Sequence, residues 1–183
     1  MSQSYGGREL AAAFRTVRKN TIQIANEIPE DKYTFVAAPG AKPVGEMLLH
    51  IAYTSDFHED LHRTKRVTTL AGYDFPAAVG AWRAHETTPH SKAEIIAILE
   101  SKGEAFASWL ETLTPEFLAE TYTDPTGQNA RTRFEGLLSP KEHEMHHRGQ
   151  LMLIERMLGV TPHLTRIQME RNAARAAAAA KAS

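Results

Sequence analysis

The chain of 183 residues carries a net charge of −1, with 42% hydrophobic and 23% charged residues, the composition of one globular domain large enough to bury its own core. This near-neutral balance gives no electrostatic reason to expect nucleic acid or an anionic membrane as partner, and no stretch is apolar and long enough to span a bilayer. The absence of cysteine excludes disulfides, thiolate ligands and a cysteine nucleophile, and leaves His, Asp and Glu to bind any metal.

The opening stretch, MSQSYGGREL, has no apolar signal core, so the expected compartment is the cytoplasm. Residues 8–28 repeat apolar positions at three- and four-residue spacing and stop before Pro29, which predicts a first helix. A second is expected from Pro43, suited to a first helical turn, to Arg63. Residues 64–90 hold Gly72, Pro76, Gly80 and Pro89 and read as a long connection with one short helix at most. Ser91 and Glu94 form a capping box that opens a third helix to about Leu113. Residues 114–133 are turn-rich, and Ser139-Pro140-Lys141-Glu142 gives a second capping box for a fourth helix ending at Leu158, with Gly159 placed to stop it. No alternating strand pattern stands out. The expected fold is all-α, a four-helix bundle with a long crossover between helices 2 and 3. Residues 1–165 would form this domain. Residues 166–183, alanine-rich with Ile167 and Met169 as the larger apolar anchors, predict a tail or extra C-terminal helix, either solvated or packed on another subunit.

The stretch KEHEMHHRGQ, residues 141–150, carries most of the functional information. On a helical wheel His143 and His147 project together with Leu151, Ile154 and Leu158, while Glu144, Arg148 and Glu155 lie to one side. The second helix groups His50 with Thr54, Phe57 and Leu61, opposite Ser55, Asp56 and Glu59. Three imidazoles on two helices thus face a common interior. Burying them without partners costs several kcal/mol in sum, and one metal ion removes that cost by taking a nitrogen from each. A single inward His is more often a hydrogen-bonded core residue than a ligand, so the i, i+4 pair carries the inference. His58, His62, His85, His90 and His163 fall on polar faces or in loops and are expected at the surface.

HEMHH also matches the metalloprotease signature H-E-x-x-H, in which Glu144 would be the general base. That reading needs a substrate-binding strand and a third ligand downstream. The Gly and His of one common extension are replaced by Gln150 and Leu153, and Glu170, the nearest carboxylate at a suitable spacing, sits in the alanine-rich tail. The protease remains a minor alternative.

Two segments, GEMLLHIAYTSDF and HEMHHRGQLMLIERMLGVTP, resemble the second-helix and last-helix motifs of the DinB family, also called YfiT-like, of metal-binding four-helix bundles. The resemblance covers roughly residues 8–165. It implies His50, His143 and His147 as the metal ligands and His146 as a frequent companion that does not ligate. Pro140 departs from the unbroken helix of many relatives. The resemblance also implies a homodimer, and a reaction that can involve a low-molecular-weight thiol, because relatives include transferases and isomerases of that kind.

Three neutral imidazoles leave metal positions for water or substrate, the pattern of a catalytic site. Such a metal brings bound water to a pKa of about 7 or deprotonates a bound thiol. Zinc and nickel suit the donor set foremost, with iron and manganese behind them. The expected function is that of a metal-dependent enzyme, a hydrolase or thiol-dependent transferase acting on a small molecule. The alternative from another class is a metal- or ligand-binding stress protein without turnover. Glu144, Tyr53 and Arg148 are the nearby acid/base candidates, and none is singled out by the sequence.

Overall fold

The computed structural model describes residues 5–182; residues 1–4 and 183, with the terminal domain limits expected there, lie outside the described residues. Helix α1 (Gly7–Glu27) starts where the Glu9 carboxylate accepts the Gly6 N–H at 2.9 Å. Helix α2 (Val44–Glu59) opens behind Pro43 and passes directly into a π turn, Asp60–Thr64. Helix α3 (Phe75–Glu86) is capped by the Asp74 side chain and lies in the long connection. The Ser91/Glu94 capping box opens α4 (Lys92–Glu111) as the sequence predicts. A short α5 (Pro115–Ala119) leads into an antiparallel hairpin of β1 (Thr121–Thr123) and β2 (Ala130–Thr132), with Tyr122 opposite Arg131. Then come α6 (Arg133–Met157) and α7 (His163–Ala182).

The fold is an all-α four-helix bundle. Helices α1 and α2 each pack on both α4 and α6, so the first two helices in sequence face each other across a diagonal. Helix α3 packs on α2. Among the described residues no helix is long and apolar enough to cross a membrane.

Three expectations need correction. The turn-rich stretch contains the hairpin, whose strands are too short to show an alternating pattern. Helix α6 starts at Arg133 rather than at Pro140: the capping box in use is Thr132/Glu135, with Thr132 Oγ1 accepting the Glu135 N–H at 3.1 Å. Pro140 therefore lies inside the helix, where it has no N–H to give the Gly136 carbonyl four residues earlier. Finally, Ile24, one of the residues (with Ile22, Met145 and Met152) that the sequence places outside the narrow apolar stripes as interface candidates, is fully buried.

The core falls into two apolar clusters. One holds Ile24, Leu48, Ile51, Leu99, Leu151 and Ile154; the other holds Leu10, Phe14, Phe106, Leu110 and Leu137. An ion pair accompanies them: Arg18 Nε meets both carboxylate oxygens of Glu144 at 3.0 and 3.1 Å, and the guanidinium also donates to Leu99 O at 2.8 Å and Ile51 O at 3.2 Å. Both residues are buried. Gly103 on α4 makes room for this layer, since a Cβ there would lie 2.7 Å from Arg18 Cγ.

Glu155, also expected beside the stripe, is fully buried, and neither of its carboxylate oxygens meets a donor among the described residues. Burial, reinforced by the Glu27 charge, raises its pKa to about 7. For an acid with a raised folded pKa, the destabilisation is absent below the ordinary value near 4.5, grows as pH rises, and is complete above about 7. Glu155→Gln should therefore stabilise the fold at pH 8.5 by on the order of 2 kcal/mol, less than the full ionisation cost because the amide also lacks partners. At pH 4.5 the gain should vanish. Urea unfolding at the two pH values checks this, and equal effects at both would show that ionisation is not the cause.

Candidate metal centre

Helices α2 and α6 supply three imidazoles whose Nε2 atoms converge. His143 Nε2 lies 3.0 Å from His50 Nε2 and 3.1 Å from His147 Nε2. One ligand atom from each of the three residues lies within 4.8 Å of the others. Nitrogens bound to one ion at about 2.0–2.1 Å sit about 2.9–3.4 Å apart for angles between octahedral and tetrahedral, and both distances from His143 Nε2 fall in that range. Of the sequence-predicted positions, the structure brings His50, His143 and His147 together. It leaves His146 exposed beside them, its Nε2 3.3 Å from Gln150 Nε2.

The cluster sits on the shoulders of the two helices rather than on their central buried faces. On α6 the central line runs through Leu137, Pro140, Glu144, Leu151 and Glu155. On α2 it includes Leu48, Ile51 and Ser55, the last buried although expected on the opposite side. The three rings are half-buried, which leaves one side of the cluster open.

Each ring's other nitrogen decides which tautomer it holds. His50 Nδ1 lies 2.6 Å from Glu86 Oε1, and a carboxylate oxygen accepts, so Nδ1 carries a proton and Nε2 is the atom left to bind a metal. His147 Nδ1 lies 2.7 Å from Gln150 Oε1, with the same result. His143 Nδ1 is buried and has no partner among the described residues. Burial, followed by the charges of His147, His50 and His146, lowers the His143 pKa to about 4; burial also lowers that of His147. Both rings are therefore neutral at pH 7, the form that binds a metal.

Glu86 is the residue that sequence reasoning missed. It ends α3, is buried, and also receives the Lys42 ammonium at 2.5 Å. Burial alone would raise its pKa, but the hydrogen bonds from Lys42 and His50 outweigh this and hold it below the ordinary range. Such carboxylate–histidine pairs orient metal-binding rings and raise their basicity. Stacking of His85 on Tyr53, with ring centroids 4.5 Å apart, fixes the end of α3 against α2. A histidine and a glutamate 36 residues apart leave no spacing signal.

Residues 13–151 match the DinB superfamily. The chain belongs to that superfamily. Two solved DinB-like structures from Bacillus subtilis share its fold. YjoA is 20% identical over 84% of this chain and 93% of its own, with a TM-score of 0.62. YfiT is 16% identical over 88% of this chain and 92% of its own, with a TM-score of 0.66, and is described as "a probable metal-dependent hydrolase with an unusual four-helix bundle topology". No functionally curated protein matches the sequence. In this DinB-superfamily chain Glu144, the central residue of the protease signature, is turned away from the cluster into its ion pair with Arg18. Glu170 is exposed on α7 and is not one of the clustered residues.

Three of the histidines expected at the surface are buried: His58, His62 and His163. His163 holds the start of α7 through Nε2, 3.2 Å from Asn20 Oδ1. His85 is exposed as expected.

Proposed function

We propose that this chain is a divalent-metal enzyme whose ion is held by Nε2 of His50, His143 and His147, and that it acts on a small molecule. The observation carrying this reading is the convergence of three imidazole nitrogens, with spacings of 3.0 and 3.1 Å about His143, on an open shoulder of the bundle. The bound metal would supply a Lewis acid with positions left for substrate, zinc or nickel suiting the donors best. Glu86 and Gln150 hold the Nδ1 protons of two rings. Glu144 is taken up by Arg18, and Tyr53 is stacked on His85 with the Lys102 ammonium 4.3 Å above its ring. A base supplied by the protein is thus scarce. That favours a low-molecular-weight thiol as cosubstrate, because a metal deprotonates a bound thiol directly; the description of YfiT supports hydrolysis instead.

The site-bearing unit is assigned to residues 1–165. The helix that continues from 166 to 182 is exposed throughout its described side chains and is assigned as an appendage.

The purified protein should carry about one divalent ion per chain, because three converging imidazoles suit one ion. His143→Ala should lose it, and His85→Ala should keep it. Stoichiometric metal in the His143 variant would sink the assignment. A panel of electrophiles assayed with and without thiol then separates the transferase from the hydrolase, and turnover of none favours the binding protein.

The apolar residues Leu153 and Met157 on α6, with Met169 on α7, are each more than half exposed, which supports a homodimer through these helices. Light scattering should give twice the 20.3 kDa chain mass; a monomer at micromolar concentration would refute it.

A further inference from the structure

Beside the three-His cluster, between the end of α2 and the first half of α6, lies a cavity of about 280 Å³. Phe57, Leu61, Leu70, Phe75 and Tyr122 give it apolar walls, and Ser139, one turn before His143 on α6, stands at its edge. His58 and His62 also line it. Both are more than nine-tenths buried, and His58 Nδ1 and His62 Nε2 have no hydrogen-bond partner among the described residues. His58 is close enough to both His62 and His143 for their charges to add to burial in lowering its pKa. The cavity and the cluster are therefore neighbours.

The state of His62 follows from its surroundings. Arg133 Nη1 lies 3.2 Å from His62 Nδ1. A guanidinium can only donate, so Nδ1 accepts, and the proton of the neutral ring is on Nε2. That N–H is a donor without an acceptor, and such buried groups are costly to leave unmade.

The fold invests in this arrangement. Arg133 is held by Glu120, with Nε to Oε2 at 2.8 Å, and Glu120 is bound in turn by Arg66. Arg66 has a φ of 44°, the one positive φ at a non-glycine residue among those described. His62 itself belongs to the π turn, closed by Lys65 N to Asp60 O at 2.8 Å. Single π turns recur at functional sites, and strained backbone persists where its surroundings over-determine it. Gly136 completes the floor: a Cβ there would meet Tyr122 Oη at 2.4 Å and His62 Nε2 at 3.1 Å.

We propose that this cavity is a binding subsite for a small organic molecule with a flat apolar body and a carbonyl-type oxygen, which accepts a hydrogen bond from His62 Nε2–H. The apolar walls suit a single ring, while Asp124, Arg131 and Glu135, which also line the cavity, leave room for a polar substituent on it. The donor selects oxygen acceptors over hydrocarbon isosteres, because binding an isostere leaves the N–H unmet. Its role as the place where substrate is held rests on the metal reading above: His143 follows Ser139 by four helical positions, a rise of about 6 Å. The subsite itself is made of protein atoms alone.

Acetophenone and its hydrocarbon isostere α-methylstyrene are the probes, titrated by calorimetry into the full-length protein in metal-free and zinc-loaded forms. The parent should bind acetophenone about tenfold tighter, the equivalent of one net hydrogen bond. His62→Phe, which keeps a ring and removes the donor, should bind both probes alike. Ser139→Leu, at an exposed helical position, should weaken both by filling the cavity edge. If His62→Phe does not fold, the ¹⁵N resonance of His62 Nε2 in the parent replaces it, and should shift with acetophenone and not with α-methylstyrene. Binding of neither probe, equal binding of both by the parent, a preference that survives in His62→Phe, or an unmoved resonance would overturn the subsite. Binding in the metal-free protein tests the subsite alone, so a failure to bind metal would overturn the proposed function and leave this inference standing.

Discussion

Glu144→Gln should destabilise the protein by about 3–5 kcal/mol, the range for breaking a buried ion pair, while metal affinity stays within a few-fold. Glu144 is 1% exposed and Arg18 is 4% exposed, so neither charge has water as an alternative partner. The glutamine would leave the guanidinium with its two backbone acceptors, Leu99 O and Ile51 O, and an uncompensated positive charge between two apolar clusters. Removing both charges together, Arg18→Met with Glu144→Leu, should cost much less than either single loss, because desolvation consumes most of the Coulomb gain of such pairs. Urea unfolding gives the stabilities and isothermal titration gives the affinities. The opposite pattern, intact stability with lost metal binding, would place Glu144 at the metal and restore the protease reading of HEMHH.

The same residue shows where sequence reasoning stopped. Periodicity located α1, α2 and α4, because their apolar spacing is regular and their ends carry Pro29, Pro43 and the Ser91/Glu94 box. On α6 the rule that charges face solvent moved the inferred core stripe toward the histidines. Glu144 and Glu155 in fact lie on its centre line. The i, i+4 pair His143/His147 was legible because two rings on one helix face need a common purpose. His58 and His62 repeat that spacing, but the polar residues Glu59, Asp60 and Arg63 around them make the stretch read as a solvated face. The π turn hid it further: a wider turn rotates His62 off the phase that an ideal helix assigns. The start of α6 is hard to read from the sequence for a related reason. Two boxes, Thr132/Glu135 and Ser139/Glu142, compete in the sequence. The hairpin selects the first, since β2 delivers the chain to Thr132.

His50→Ala should lower metal affinity by at least a hundredfold, or about 2.7 kcal/mol. Loss of a group that merely orients a ligand costs about 10–100-fold, and loss of a ligand itself sets that as its floor. The contribution of His50 is unusually well prepared. Glu86 fixes its Nδ1 proton at 2.6 Å, Lys42 keeps Glu86 ionised at 2.5 Å, and Nε2 already stands 3.0 Å from His143 Nε2. Little entropy remains to be lost when an ion arrives, so removing the ring forfeits a preorganised ligand. Glu86→Gln provides the graded control. The amide can still accept from Nδ1 through its oxygen, but it no longer carries the charge that makes the imidazole more basic, so a loss of about tenfold is expected. Isothermal titration of both variants after chelator treatment, with circular dichroism confirming the helices, gives the order parent, Glu86→Gln, His50→Ala. Parent-like affinity in His50→Ala would leave α6 alone to hold the metal through His143 and His147, and the shared site between α2 and α6 would be wrong.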